Sequence, residues 1–412
     1  MTFGIWRSNL NIISCLHLVS CVLYLMHIGI DARMYGPYHR GIGRYVQCLI
    51  EGLAKIDDGH RYTLFMGSNA AASFVPPSGK FKAVKADVPW YSLREHWVMP
   101  RLVKRSKVDI MHWPHINVPY FCPVPYAVTV HDLIVWHFPD TRATTLPNWQ
   151  YRLKLAAYRQ VLQRAVNKSK SIITVSNFTK RDIVRHLKID PKRIAVTYLG
   201  AEKMVLGTER LPNSPAFTDY LNSTFNIKKP YLLYVGSAYP HKNLEKLLEA
   251  FKLLRVKFNR NWQLVLAGRK DYFYKKLEEG AGVAMSPELA AGVIFTGQVS
   301  ERDLDGLYRG ARFLVFPSLY EGFGLPPLEA MARGVPVVAA KTASIPEILS
   351  DAACYFNPED IVNMAEIMDL VGGSRQVQDE LTRKGYERVK NFSWEKTVKE
   401  TSAIYELIHN PV

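Results

Sequence analysis

The chain is 412 residues long and 48% apolar, with 53 lysines and arginines against 37 acids and a formal charge of +16. That length exceeds what one hydrophobic core usually supports, and the apolar share is ordinary for a globular chain, so two domains are expected and disorder or repeats are not. Five scattered cysteines, with no Cys-x-x-Cys and no cluster with histidines, argue against a disulfide framework or a zinc site and suit a reducing compartment.

The first predicted element is a short strand, Met26-His27-Ile28-Gly29-Ile30-Asp31. It closes a stretch from Leu10 to Ile30 without Asp, Glu, Lys or Arg, which has the length of a membrane span but is diluted by histidine, asparagine and serine. The expectation is that Met26 is the true initiator and residues 1–25 are a mis-assigned start, with a weak signal anchor as the alternative if the extension is translated.

Gly41-Ile42-Gly43-Arg44 follows the strand and leads into a helix over residues 45–53, so its amides could face an anion. Gln47 and Cys48 stand where a third glycine would complete a dinucleotide fingerprint, and no acid about twenty residues on ends a second strand, which argues against a nicotinamide enzyme. Apolar runs at 62–66, 110–112, 126–130, 171–175 and 194–198 read as strands, with helical periodicity over 151–166 between two of them. Strands alternating with helices predict a parallel, doubly wound sheet. His131-Asp132-Leu133 ends one of these strands at the carboxyl edge.

Two basic stretches lie in this half. Residues 141–181 hold nine Lys or Arg and no acid, and residues 90–107 set Arg94, Arg101, Lys104, Arg105 and Lys107 among Trp90, Tyr91, Trp97 and Leu102. Cations interleaved with large apolar side chains suit an anionic bilayer surface, at about 1 kcal/mol per cation. No nucleic-acid recognition module is visible.

A polar connection over about 202–230 precedes a second strand series at 231–235, 263–267, 293–295, 313–316 and 335–339. Lys242 falls just ahead of a helix beginning near Asn243. Asp303 and Asp305 form an Asp-x-Asp, but Ser300-Glu301-Arg302-Asp303 opening an apolar helical pattern reads as a helix cap and not as a metal site. The most informative segment is Glu321-Gly322-Phe323-Gly324-Leu325-Pro326-Pro327-Leu328-Glu329, between an apolar run and a helix. Its prolines suit a first helical turn, its glycines admit a ligand to the backbone, and its exposed amides suit phosphate. Carboxylates repel phosphate, so Glu321 and Glu329 are expected on sugar hydroxyls, Glu329 on a diol such as ribose.

The two glutamates eight positions apart, with Gly-Phe-Gly after the first, resemble the retaining nucleotide-sugar glycosyltransferases of the GT-B fold, especially glycosyltransferase family 4. Further stretches match in the family's order: Gly29-Ile30-Asp31-Ala32-Arg33 with Gly41-Ile42-Gly43-Arg44-Tyr45, Val128 to Leu133, Thr174 to Phe178, Tyr234 to Ser237 with His241 to Leu244, and Phe295 to Val299. The resemblance spans about residues 26–408. It implies an α/β architecture of two Rossmann-like, doubly wound parallel-sheet domains facing across a cleft. The expected division is an acceptor-side domain over 26–205, a linker over 206–230, a donor-binding domain over 231–390, and a terminal helix in 391–412 crossing back to the first domain.

The resemblance also implies roles. Lys242 stabilises the departing diphosphate, His131 contacts the transferred sugar, and Glu321 completes the catalytic set. Gly43, Gly236, Ser237, Lys242, Gln298, Val299, Glu321, Gly322, Phe323, Gly324, Leu325 and Glu329 bind the donor. Many family members carry arginine where this chain has Ser237, so one usual phosphate contact is missing. No metal and no cofactor is expected, the nucleotide sugar being a co-substrate. The implied function is transfer of a hexose, mannose from GDP-mannose, to a glycan or lipid-linked acceptor in cell-surface polysaccharide or lipopolysaccharide synthesis, peripherally on the cytoplasmic face of the plasma membrane. The alternatives are a UDP-glucose, galactose or N-acetylhexosamine transferase of the same fold, or a non-catalytic sugar- or polyanion-binding protein. A phosphorylase would need a cofactor-lysine pattern that is not found.

Overall fold

The structure, a computed structural model, describes residues 25–36, 40–139, 147–201, 215–228 and 230–409. The reading of residues 1–25 therefore lies almost wholly outside the described residues, as does the first part of the expected linker, residues 206–214. Within that linker a helix, Pro215–Phe225, is described.

Two parallel sheets organise the chain. The first comprises β1 (His27–Asp31), β2 (Arg61–Met66), β3 (Phe81–Lys85), β4 (Ile110–Trp113), β5 (Tyr126–Val130), β6 (Ser171–Thr174) and β7 (Ile194–Val196), in the order β3-β2-β1-β4-β5-β6-β7. The second comprises β8 (Tyr231–Val235), β9 (Gln263–Ala267), β10 (Val293–Gly297), β11 (Phe313–Phe316), β12 (Val337–Ala340) and β13 (Cys354–Phe356), in the order β10-β9-β8-β11-β12-β13. In each, the strand order reverses beside the first strand, between β1 and β4 and between β8 and β11. Open parallel sheets hold ligands outside the carboxyl ends of the strands at such a reversal. The two sheets and their covering helices give the GT-B architecture.

The central strands are apolar on both faces because helices cover both: Leu232, Leu233, Leu264, Val265, Leu314 and Val315 are fully buried. The edge strands β3 and β13 are shorter or half polar, and no apolar run announced them. The glycine segment also differs from expectation. The helix begins at Arg40 rather than Tyr45 and runs to Leu53, so Gly41-Ile42-Gly43-Arg44 forms its first turn instead of a loop before it.

The terminal helix, Trp394–His409, lies against the helix Arg40–Leu53 of the first domain. Gly52 leaves room for Val398, whose methyl a Cβ there would meet at 2.4 Å, and Gly200 does the same for the backbone of Trp394 at 2.2 Å. Tyr405 adds a polar anchor, its hydroxyl lying 2.7 Å from His112 Nδ1 inside the first sheet.

Candidate active site

Glu321 stands on the loop between β11 and the helix Leu325–Ala332, and that loop is tied down from three sides. The Leu319 N–H donates to the His241 carbonyl at 2.8 Å, Ser344 Oγ to the Glu321 carbonyl at 2.9 Å, and Ser176 Oγ, from the first domain, to the Gly322 carbonyl at 2.7 Å. A Cβ on Gly322 would fall 1.9 Å from the His131 carbonyl oxygen, so the two domains touch backbone to backbone there. Gly324 has φ +92 at the start of the helix, and prolines fill the next positions. Left-handed backbone followed by prolines turns the chain sharply while leaving the first amides of the helix without helical partners.

Lys242 closes the short turn Pro240–Lys242, which Asn243, at φ 59, joins to the helix Leu244–Val256. Its Nζ lies 2.5 Å from Glu321 Oε1, with both side chains mostly withdrawn from water. The resemblance implies an ammonium aimed at phosphate; its partner in the structure is the Glu321 carboxylate.

His131 and Asp132 leave β5 on the opposite wall. His131 Nε2 lies 2.9 Å from the Pro114 carbonyl, which can only accept, so Nε2 carries the proton and Nδ1 is left as an acceptor. Burial holds the imidazole down at about 4, against an ordinary 6.5, so it is neutral near pH 7. Asp132 Oδ1 accepts from the Ile134 N–H at 2.9 Å; burial pushes its carboxyl up, opposed by that hydrogen bond.

These groups converge on one cavity of about 590 Å³ between the domains. His131, Gly236, Ser237, Lys242, Gln298, Val299, Glu321, Gly322, Phe323, Gly324 and Leu325 all line it. Gly43 does not: it is buried in the first turn of its helix, and Gly41 and Ile42 face the cavity in its place. Glu329 lines an adjoining hollow of about 430 Å³ that shares Leu325 and Pro326 with the first. Its carboxylate is already engaged, by Arg44 across the seam at 2.8 Å and by the Tyr308 hydroxyl at 2.5 Å. Asp303 and Asp305 serve separate ends. Asp303 sits at a helix start capped by Ser300, whereas Asp305 accepts from Arg309 and Arg333.

Sequence reading missed Arg269, which also lines the cavity. Gly268 abuts the Gly236 carbonyl, which a Cβ would meet at 2.0 Å, and Tyr274 donates to that same carbonyl at 2.9 Å. The ends of β8 and β9 are thereby held together, which brings Arg269 beside the segment bearing Ser237. Its position directly after a central strand was the available signal. Its guanidinium has no hydrogen bond or ion pair among the described residues.

The family description "Glycosyl transferases group 1" matches residues 221–388, and "Glycosyltransferase Family 4" matches residues 39–202. The chain belongs to the group 1 glycosyltransferases. Two relatives of this glycosyltransferase are O-antigen chain mannosyltransferases. That named B from Escherichia coli is 29% identical over 391 residues, covering 89% of this chain and 96% of the other. RfbU from Salmonella typhimurium is 29% identical over 272 residues, covering 66% and 67%. Among solved structures, the sucrose-phosphate synthase from Thermosynechococcus elongatus superposes with a TM-score of 0.71 at 18% identity, over 93% of this chain and 99% of that one. This likeness bears on the fold alone.

Proposed function

We propose that this glycosyltransferase moves mannose from GDP-mannose, with retention of the anomeric configuration, to a glycan or lipid-linked acceptor in O-antigen-type polysaccharide synthesis. The observation that supports this most is the convergence of Lys242, Glu321, His131 and the start of the helix Leu325–Ala332 on one interdomain cavity. The choice of mannose follows the names of the two relatives.

The donor's diphosphate lies against Lys242, the helix amides and Arg269, which stands in for the arginine absent at Ser237. As the bond from C1 to the phosphate oxygen breaks, its electron pair goes to the diphosphate, and a fixed ammonium and amide dipoles counter that charge. The acceptor hydroxyl attacks from the face the diphosphate leaves, and its proton passes to the departing phosphate oxygen. His131, neutral and with Nδ1 free to accept, orients a sugar hydroxyl and does not act as a base. Glu321 gives up Lys242 to the phosphate and takes sugar hydroxyls, and Glu329 gives up Arg44 for the ribose. Positive charge from side chains and amides takes the part that a divalent ion plays on other diphosphates, so no metal is required.

Docking on an anionic membrane is part of the proposal. Tyr91, Leu93, Trp97, Tyr120, Phe121, Trp149 and Leu153 are all more than half exposed on the first domain, amid Arg94, Arg101, Arg152 and Lys154. Tyr120 ties part of this surface together, its N–H donating to His96 and its ring lying 3.6 Å under the Arg164 guanidinium. No helix among the described residues is long and apolar enough to cross a membrane.

A thermal-shift screen of GDP-, UDP- and ADP-sugars tests the donor, followed by NMR of the product's anomeric configuration. A shift with GDP-mannose and an α-linked product support the reading, whereas a shift with UDP-sugars alone or an inverted product overturns it. Flotation with vesicles tests docking, which is refuted by equal recovery on neutral and anionic lipid.

A further inference from the structure

Outside the donor cavity, three side chains point their donor atoms at one another: His137, Asp182 and His186. His137 closes the short helix Ile134–His137, four residues beyond the His131-Asp132-Leu133 turn. Asp182 and His186 sit one turn apart on the helix Asn177–Leu187, on the same face. His137 Nε2 lies 2.7 Å from Asp182 Oδ2, His186 Nε2 lies 3.3 Å from Asp182 Oδ1, and one donor atom from each residue falls within 4.8 Å of the others. None of the three lines the donor cavity, and the transfer chemistry leaves them unused.

We infer that His137, Asp182 and His186 form a binding site for a divalent ion of the zinc class at the seam between the domains. Two imidazoles and one carboxylate are the borderline donor set that zinc and cobalt prefer over magnesium or calcium, and three protein ligands leave a fourth position for water. The carboxylate is buried while each imidazole stays about a quarter exposed, at 26% and 27%, so the donors are fixed yet reachable from solvent. The support expected behind a metal-bound carboxylate is also present: the Tyr320 hydroxyl donates to Asp182 Oδ2 at 2.5 Å. Tyr320 belongs to the second domain and immediately precedes Glu321. An ion bound here therefore sits behind the Glu321 loop and stiffens the contact between the two halves without touching the diphosphate.

Both Nε2 atoms face the Asp182 carboxylate. On binding, each Nε2 gives its lone pair to the ion and any proton it held moves to Nδ1 or leaves to solvent, so each imidazole ends neutral with its one proton on Nδ1. The site does not depend on which nucleotide sugar the cavity takes, so it is tested by binding, not by turnover.

The experiment is equilibrium dialysis of the untagged full chain, stripped with chelator and exchanged into chelator-free buffer, against Zn2+, with Co2+ absorption read in parallel. The expected result is one saturable equivalent, with visible Co2+ bands lacking thiolate charge transfer. Affinity should fall at least about tenfold in His186→Gln and further in His137→Gln/His186→Gln. Far-UV circular dichroism checks that the variants fold, and His186→Gln, at a partly exposed position, serves alone if the double variant does not. No saturable Zn2+, thiolate bands from a cysteine site, or affinity unchanged in folded His186→Gln would each overturn the inference.

Discussion

The ammonium of Lys242 lies 2.5 Å from the Glu321 carboxylate in a cavity where both side chains are largely withdrawn from water. In the proposed reaction a ligand with its own anion and hydroxyls separates the two. An arriving diphosphate competes for the cation and sugar hydroxyls compete for the anion, so the pair is exchanged rather than broken. Glu321→Ala is expected to lower turnover on the order of a hundredfold while the protein still binds nucleoside diphosphate through Lys242. Steady-state kinetics beside calorimetry on GDP check this, and near wild-type turnover would remove Glu321 from the site.

Gly322 sets how closely the domains approach. A methyl group there meets the His131 carbonyl at 1.9 Å, and backbone cannot move aside as a side chain can. Gly322→Ala should therefore cost about 1–3 kcal/mol of stability or hold the seam open, with turnover lost. Thermal unfolding and small-angle scattering read the two outcomes, and an unchanged midpoint, profile and rate would contradict the contact.

Arg269 and Ser237 make a paired prediction, because the ends of β8 and β9 are fused through Gly236 and Gly268. Arg269→Ala should weaken GDP binding about tenfold while affecting guanosine little, as expected of a charge-assisted contact with phosphate. Adding Ser237→Arg in that background should restore much of the loss. Equal loss for GDP and guanosine would assign Arg269 to the nucleoside instead.

Four histidines drawn out of water, His112 fully and His115, His131 and His241 partly buried, give the protein a pH dependence of definite sign. Burial holds His131 at about 4 and His112, His115 and His241 at about 3, with an ordinary value of 6.5 expected in the unfolded chain. The unfolded state therefore binds more protons below pH 6.5, and the stability that these groups contribute is lost as pH falls from 6.5 toward 4. Urea unfolding at pH 7.5, 6 and 5 should show the midpoint falling steadily. Because His131 stays neutral in the folded state, turnover should show no step near pH 6.5 from this residue.

Much of this arrangement could be read from the chain, and its gaps have physical reasons. The central strands are covered on both faces and therefore appear as unbroken apolar runs, whereas β3, with Lys82 and Lys85 turned outward at an edge, has no such run. Glu321, Lys242 and Gly324 were visible because a strand end, a helix start and glycines within a few residues mark a ligand-facing loop. Contacts between distant residues leave no local trace. Arg44 and Glu329 stand 285 positions apart, and neither the ion pair between them nor the approach of Gly322 to His131 has a signature in either neighbourhood. Arg269 was hidden differently: it has no motif, and its place just after the run 263–267 marks a strand end but not that this strand lies beside β8. Gly43 was expected at the ligand because glycine pairs attract notice, but an early helix start turns Gly41 outward and buries Gly43.

The central claim is that a fixed ammonium stabilises the departing diphosphate, and Lys242→Ala tests it most directly under single-turnover conditions with saturating GDP-mannose and acceptor. Transfer should slow by about 10²–10³-fold while the mannosylated product keeps its α configuration. A rate within about fivefold of the wild type would contradict the account.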